Sequence, residues 1–428
     1  MNKKISRMGV AALMAATAFG SCASQKNTQK NTQDDGNRQA IRFDDNMDAG
    51  YLILSDDQRA AVAKTNDFAL NLYRTQAGMD SKVVSPVSVA YLMGMLANGA
   101  NGATNGEIMK ALSLEGTSLQ TLNETYKSII NIASRLDRQT QINIANCIAV
   151  NKNISLKGDY RKTMQALYDA HVESMDFASK KALAAINGWC DKQTNGMIPK
   201  IVDELDPGMA AVLMNAIYFN GTWEKKFDKA DTKTENFRGY TRDIKKVPMM
   251  HQEDKFMYTD NADYAAVRLP YGNDHYAMTV ILPAEGKSVN DIAASLTADK
   301  VTRMQNDMDK CVVDLKLPRF TTATETQLNQ PISALGAPSI FTTSADFGRM
   351  ADKPVYVSSM FQKAKIEVSE EGTKAAAVTI GMVAMTALNP EMPRRVEFHA
   401  GRPFLYLITE RTTGAIFFIG QYTGDAVK

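Results

Sequence analysis

The sequence predicts an α+β domain, and three observations predict it. Helical periodicity gathers toward the front, in QRAAVAKTNDFALNLYRTQ (58–76), SPVSVAYLMGMLANGA (85–100) and KALAAINGWCDKQT (181–194). Strand-like runs dominate afterwards: INIANCIAV (142–150), AAVLMNAIYF (210–219), YAMTVILPA (276–284), CVVDLKLPRF (311–320), PFLYLITE (403–410) and AIFFIGQY (415–422). No low-complexity linker divides the chain after about Tyr51, so helices and strands are expected to share one domain, residues 51–428. Several of the strands are apolar on both faces, which requires their sheets to be covered by helices or by other sheets.

The start of the chain is a separate matter. Lys3, Lys4 and Arg7 precede the apolar run MGVAALMAATAFG, which suits the core of a secretion signal and is too short to span a bilayer comfortably. It ends in Phe19-Gly20-Ser21-Cys22, which resembles a bacterial lipobox; residues 1–21 are then a signal peptide and Cys22 the lipidated first residue. The other reading is an ordinary cleaved signal with an incidental cysteine. ASQKNTQKNTQDDGNRQ has almost no apolar residues, so residues 22–50 are expected to form a disordered tether. Export follows on either reading: a lipoprotein in the outer membrane, on the cell surface or in the periplasm, or a secreted protein.

Composition excludes some functions. With 44% hydrophobic and 22% charged residues and a net charge of +2, the chain has ample core and no nucleic-acid bias. Its basic pairs, Lys225-Lys226, Lys245-Lys246 and Arg394-Arg395, are scattered as a solvated surface would have them. Cys147, Cys190 and Cys311 have neither a disulfide framework nor metal-ligand spacing and read as buried thiols, so no metal or cofactor is expected. The four histidines, His171, His251, His275 and His399, sit in no HExxH, and no GxSxG, P-loop or dinucleotide fingerprint occurs. A triad could assemble only from distant residues, and nothing local supports one; the chain is not expected to be an enzyme.

One stretch fits no ordinary element. EEGTKAAAVTIGMVAMTALNPEMPRR, Glu370 to Arg395, carries no charge from Ala375 to Asn389. Its alanines favour helix, Val378, Thr379, Ile380 and Val383 favour strand, and Gly381, Pro390 and Pro393 spoil both.

Together with seven body motifs, this stretch resembles the serpins, a family of protease inhibitors. VVSPVSVAYLMGMLANGANGAT (83–104) is similar to the family's buried N-terminal helix, and INGWCDKQTNGMIPKIV (186–202) to its Asn-x-Trp and Thr-x-Gly helix signature. VLMNAIYFNGTWEKKF (212–227) carries Asn215, Gly221, Trp223 and Phe227; LPRF (317–320), ADFGRM (345–350), IEVSEEGTKAAA (366–377) and RPFLYLI (402–408) complete the series in family order.

The resemblance implies three β-sheets with eight to nine helices, an exposed reactive-centre loop at about 370–395, and a metastable fold. It implies a hinge at Glu371, Gly372, Thr373, Ala375, Ala376 and Ala377, with Lys374 departing from the usual acidic residue at a position out of phase with the inward ones. It implies a suicide-substrate inhibitor: a protease cuts the loop, forms a covalent acyl intermediate, and is trapped when the loop inserts as a central strand. Counting from the hinge glycine places the bond at Thr386-Ala387, with Met385 as the alternative. Thr386 suits an elastase-like serine protease, while chymotrypsin-like and papain-like enzymes are further candidates. Sheet opening is assigned by the resemblance to Ser85, Ser88, Asn215 and Gln362 in mid-sheet, where the family's usual histidine is Gln362, and to Trp223 and Glu370 at the top. The expected partners are the target protease and, through Cys22, a membrane; the chain is expected to be a monomer. A non-inhibitory carrier or surface-binding lipoprotein of the same fold is the competing expectation.

Overall fold

The structure is a computed structural model that describes residues 52–133, 135–241, 243–373 and 393–424. The expectations for the signal, Cys22, the tether, Ala375, Ala376, Ala377, Met385, Thr386 and Ala387 concern residues outside those described. In chain order the first half contains α1 (Asp56–Arg74), β1 (Lys82–Val84), α2 (Pro86–Gly99), α3 (Gly102–Ala111), α4 (Leu119–Ala133), β2 (Thr140–Asn151), α5 (Gly158–Tyr168), β3 (His171–Met175), α6 (Lys180–Gln193) and β4 (Ala211–Thr222). Then follow β5 (Lys233–Arg238), β6 (Ile244–Asp260), β7 (Tyr264–Tyr271), β8 (Tyr276–Pro283), α7 (Val289–Ser295), α8 (Ala298–Asn306), β9 (Asp309–Pro318), β10 (Phe320–Gln327), α9 (Asn329–Ala334), β11 (Val357–Ser369), β12 (Gly372–Thr373), β13 (Arg395–His399), β14 (Phe404–Glu410) and β15 (Ile416–Tyr422). The nine α-helices among the described residues agree with the expected number.

Local chemistry explains the helix ends. Ser55 and Gln58 form a reciprocal capping box, and Asp56 and Asp57 place negative charge where the α1 dipole is positive. Pro86 opens α2, where its missing N–H is no loss, and α2 is then buried almost all round, as its near-continuous apolar sequence demands. Helices α7, α8 and α9 interrupt the strand-rich half; at 7, 9 and 6 residues they are too short for a periodic pattern to declare them.

Six strands form one sheet in the order β10-β11-β12-β4-β2-β3, and nine form the other, β1-β15-β14-β8-β7-β6-β9-β13 with β5 on β6. The 17-residue β6 pairs with β5 at its start, β9 along its middle and β7 at its end. It thereby joins the second and third of the expected sheets into one ladder.

Along β4, Leu213, Ile217 and Phe219 enter the main core, while Val212, Met214 and Ala216 meet Ile186 and Cys190 of α6 on the opposite face. This two-sided burial is why the strand reads as an unbroken apolar run. Cys147, Cys190 and Cys311 are buried free thiols; burial pushes all three up, Cys190 to about 12.

Candidate functional site

The site begins where two neighbouring strands part. β4 and β11 run parallel and pair directly from Ala211–Val357 up to Ile217–Ala364. Above that level Tyr218–Asn220 pair with β2 and Lys365–Glu367 with β10, and among the described residues neither segment pairs with the other. At the top, β12 fills the gap: Thr373 faces Val368 and Gly221, and Gly372 faces Ser369 and Thr222, antiparallel to both. After a one-residue shift at the first pair, the numbering offset between facing residues of β11 and β4 is the same, 147, from Ser359–Val212 to Ala364–Ile217 and across β12. The two strands are therefore already aligned lengthwise to receive a strand between them; only sideways separation is required.

Steric fit accounts for the residues at this mouth. Gly372 has φ +144°, and a Cβ there would lie 2.1 Å from the Gly221 carbonyl oxygen and 2.7 Å from Thr222 Cα, backbone atoms that cannot swing aside. Gly221 makes room for the Tyr271 ring, which a Cβ would approach to 2.8 Å. Thr373 is fully buried, with its hydroxyl 2.7 Å from that of Tyr271. Tyr271 stacks on Trp223 at 4.4 Å and 11°, and Phe219 meets Tyr271 edge-on at 5.1 Å.

Hydrogen bonds hold the loop's first residues to the turn after β4. Trp223 donates its indole N–H to the Ser369 carbonyl (2.9 Å) and its backbone N–H to Glu371 (3.0 Å); Phe227 N–H donates to the Glu370 carbonyl (3.0 Å). The Glu370 carboxylate, 2% exposed, accepts from the Thr232 hydroxyl (2.8 Å) and from Arg319 (3.4 Å). Glu371 pairs with Lys226 (2.9 Å) and Lys229 (3.3 Å). Its carboxyl is held below the ordinary glutamate range, chiefly by the Lys226 hydrogen bond, which outweighs partial burial. A depressed folded value means that this contribution stands above the unfolded glutamate pKa and is lost as pH falls through the folded one. The stability difference between the parent and Glu371→Gln is accordingly expected to be constant above about pH 5 and to shrink as pH falls below the ordinary glutamate range, as thermal melts across that range would show.

The mid-sheet cluster is buried, with Asn146 Nδ2 at its end left without a partner. Gln362 on β11 accepts from Ser85 N–H (2.9 Å) and donates to the Ser85 carbonyl (2.9 Å) and to Asn215 Oδ1 on β4 (2.9 Å). Ser85 donates to Ser88 (3.0 Å), and Asn215 Nδ2 donates to Asn146 Oδ1 of β2 (2.9 Å). A single amide side chain thus ties α2, β11 and β4 together beneath the level where the strands part. Removing it as Gln362→Ala leaves the buried Ser85 N–H and Asn215 Oδ1 unpaired, at about 1–3 kcal/mol each before relaxation, while the Ser85 carbonyl keeps the Val89 N–H. The intact protein is expected to lose several degrees of melting temperature; an unchanged melt would show that the bridge holds nothing.

The structure brings Ser85, Ser88, Asn215 and Gln362 into one network and puts Trp223, Glu370, Glu371, Gly372 and Thr373 at the mouth. Sequence reasoning missed Tyr271, Asn146, Thr232, Arg319, Lys226 and Lys229. No spacing links residue 271 to 373; the antiparallel return of β7 beside the mouth alone joins them. Of the histidines, His251 and His399 both point Nε2 at Asp314 Oδ1 (2.9 and 3.3 Å), and His171 pairs with Glu173 (2.9 Å). Among the described residues no group of three or more His, Cys, Asp or Glu is arranged to hold a metal ion, and no helix is long and apolar enough to cross a membrane.

A family profile described as Serpin (serine protease inhibitor) matches residues 63–424. The chain is 32% identical over 374 residues to Iripin-2 of Ixodes ricinus, covering 85% of this chain and 94% of that one. It is 30% identical to the leukocyte elastase inhibitor of Sus scrofa over 380 residues, 85% of this chain and 99% of the relative. Its fold is similar to the native-state crystal structure of tengpin, a thermophilic serpin, with TM-score 0.78 and 28% identity over 87% of this chain and 95% of that one.

Proposed function

Because this chain belongs to the serpin family, whose members generally inhibit proteases and do not themselves catalyse, we propose that it is a suicide-substrate inhibitor whose residues 374 onward become a central strand between β4 and β11. The observation that carries this reading is the match, rung by rung, between the loop sequence and the register set by β12. Continued downwards, that register would set Ala375 between Ile366 and Phe219, Ala377 between Ala364 and Ile217, Thr379 between Gln362 and Asn215, and Gly381 between Met360 and Leu213. Alanine or glycine meets each apolar pair, and the hydroxyl arrives at the one polar rung. There Thr379 could both donate and accept where the Gln362–Asn215 bond must break. Lys374, the departure from the family's usual acid, would lie beside Glu367, so opposite charges meet where like charges would have repelled.

In this mechanism the protease nucleophile adds to the Thr386 carbonyl and the Thr386-Ala387 bond breaks with the amine of Ala387 as leaving group, the downstream chain staying in the nine-stranded sheet through β13, β14 and β15. The freed upstream segment inserts and carries the acylated enzyme along; deacylation fails once the enzyme's oxyanion hole and base lose their geometry. Thr386 is small, and the relative named leukocyte elastase inhibitor is consistent with an elastase-like target. Met385 as the reacting residue would direct the loop to chymotrypsin-like enzymes, and a papain-like cysteine protease could attack the same loop. The domain bounds, lipidation at Cys22, export and the monomeric state complete the proposal.

Incubation with elastase tests it. The expected product is an SDS-stable complex together with a released fragment whose mass begins it at Ala387. A clipped chain with no complex would instead identify a non-inhibitory carrier.

A further inference from the structure

We propose that a hollow of about 270 Å³ beside the mouth of the six-stranded sheet binds a small oxyanion of phosphate or sulfate chemistry. Five cationic side chains converge on it from five separate segments: Lys225 after β4, Lys255 on β6, Arg268 on β7, Lys310 on β9 and Arg411 in the β14–β15 turn. Two carboxylates, Glu224 and Asp274, also line it. Asp274 is already shared, with Oδ1 taken by Arg268 and Oδ2 by Arg411 (2.8 Å). Lys225 is spent on Asp254 (2.6 Å) and on the Lys255 carbonyl (3.0 Å).

Lys255 and Lys310 are left: neither ammonium makes a hydrogen bond or ion pair among the described residues, and Lys255 only lends its charge to Asp254 at longer range. In the β6–β9 register Lys255 faces Val312 and Met257 faces Lys310, so the two lysines lie on adjacent rungs of one face. Both are exposed, so water screens their mutual repulsion, and a doubly charged ion is favoured because it lies between two like charges and accepts their N–H groups. The arginines add planar donors of the shape an oxyanion presents. The volume suits one ion with a few waters or a small ester, below what a drug-sized ligand fills.

The position gives the ion a consequence. Glu224 and Lys225 wall the hollow, while Trp223 and Phe227 of the same turn hold Glu370 and Glu371 on its other side. An ion on Lys255 and Lys310 stiffens β6 and β9 where the Lys255 carbonyl already holds the Lys225 ammonium; it thereby steadies this turn and slows loop insertion. That consequence rests on the inhibitory reading; the binding does not.

Calorimetric titration of the full chain with inorganic phosphate, sulfate and glycerol phosphate, against chloride at matched ionic strength, tests the site. One saturable site is expected, weakened about tenfold or more in Lys255→Gln/Lys310→Gln and retained in Lys255→Arg/Lys310→Arg. Phosphate should tighten relative to sulfate between about pH 6 and 8 as it gains its second charge. A preference for the inorganic ions identifies a free ion as the ligand, and a preference for glycerol phosphate identifies an ester. Heat no different from chloride, or equal affinity in the double Gln variant, overturns the proposal. Arg411→Gln, in an exposed turn, repeats the test from an independent wall should the double variant fail to fold. If phosphate binds but leaves the rate of elastase complex formation unchanged, the link to insertion fails and the site stands; if no complex forms with or without phosphate, the inhibitory reading fails instead.

Discussion

Clipped at Thr386-Ala387, the protein is expected to melt roughly 20 °C or more above the intact chain. Each inserted residue gains hydrogen bonds to both β4 and β11 while those strands give up the direct bonds they now make, for a net of about one bond, or ~1 kcal/mol, per residue. Val378, Ile380 and Met382 add burial on the α6 side at about 0.8 kcal/mol per methylene. Some ten residues then release on the order of 10–20 kcal/mol, as much as the whole stability of an ordinary domain. For a chain of this size 1 kcal/mol moves the melt by about 2 °C. The intact form must consequently be held by a barrier, because its deepest minimum lies elsewhere. On the proposed mechanism the network at Gln362 and the clamp on Glu370 and Glu371 would be parts of that barrier. Circular-dichroism melts of the intact and clipped proteins decide the matter; transitions within a couple of degrees of each other would sink the stored-energy mechanism.

Ala377→Glu should convert the inhibitor into a substrate. In the continued register residue 377 lands between Ala364 and Ile217, 2% and 0% exposed, with no cation facing it on either strand. Burying a carboxylate there costs several kcal/mol whether it stays charged or takes up a proton. Insertion then stalls after its first rungs while the acyl bond waits for water. Since each 1.4 kcal/mol on the insertion barrier slows it about tenfold, the yield of SDS-stable complex should fall by two or more orders of magnitude, with cleavage itself continuing. Densitometry of complex against clipped chain measures the partition; an undiminished complex band would mean that residue 377 never enters the sheet.

Much of this was legible in the residues. AAVLMNAIYF announced a strand buried on both faces, SPVSVAYLMGMLANGA a core helix, and the conflict of propensities after Glu370 a segment at home in no single element. Those signals are local: side-chain periodicity, caps and backbone preference act within one or two turns of chain. The short helices α7 to α9 escaped because six to nine residues hold too few periods to register.

The alphabet of the loop, uncharged from Ala375 to Asn389 with hydroxyls at Thr379 and Thr386, was determined by the sequence alone, as were the buried thiols and the apolar strands. Which partner each loop residue would meet, that Tyr271 seats Thr373, that Asn146 extends the mid-sheet network, and that five cations from five segments share one hollow were decided only by the tertiary structure. The physical reason is that strand register and side-chain convergence are set by contacts between residues tens to hundreds of positions apart, and no spacing along a single chain encodes where two strands lie level.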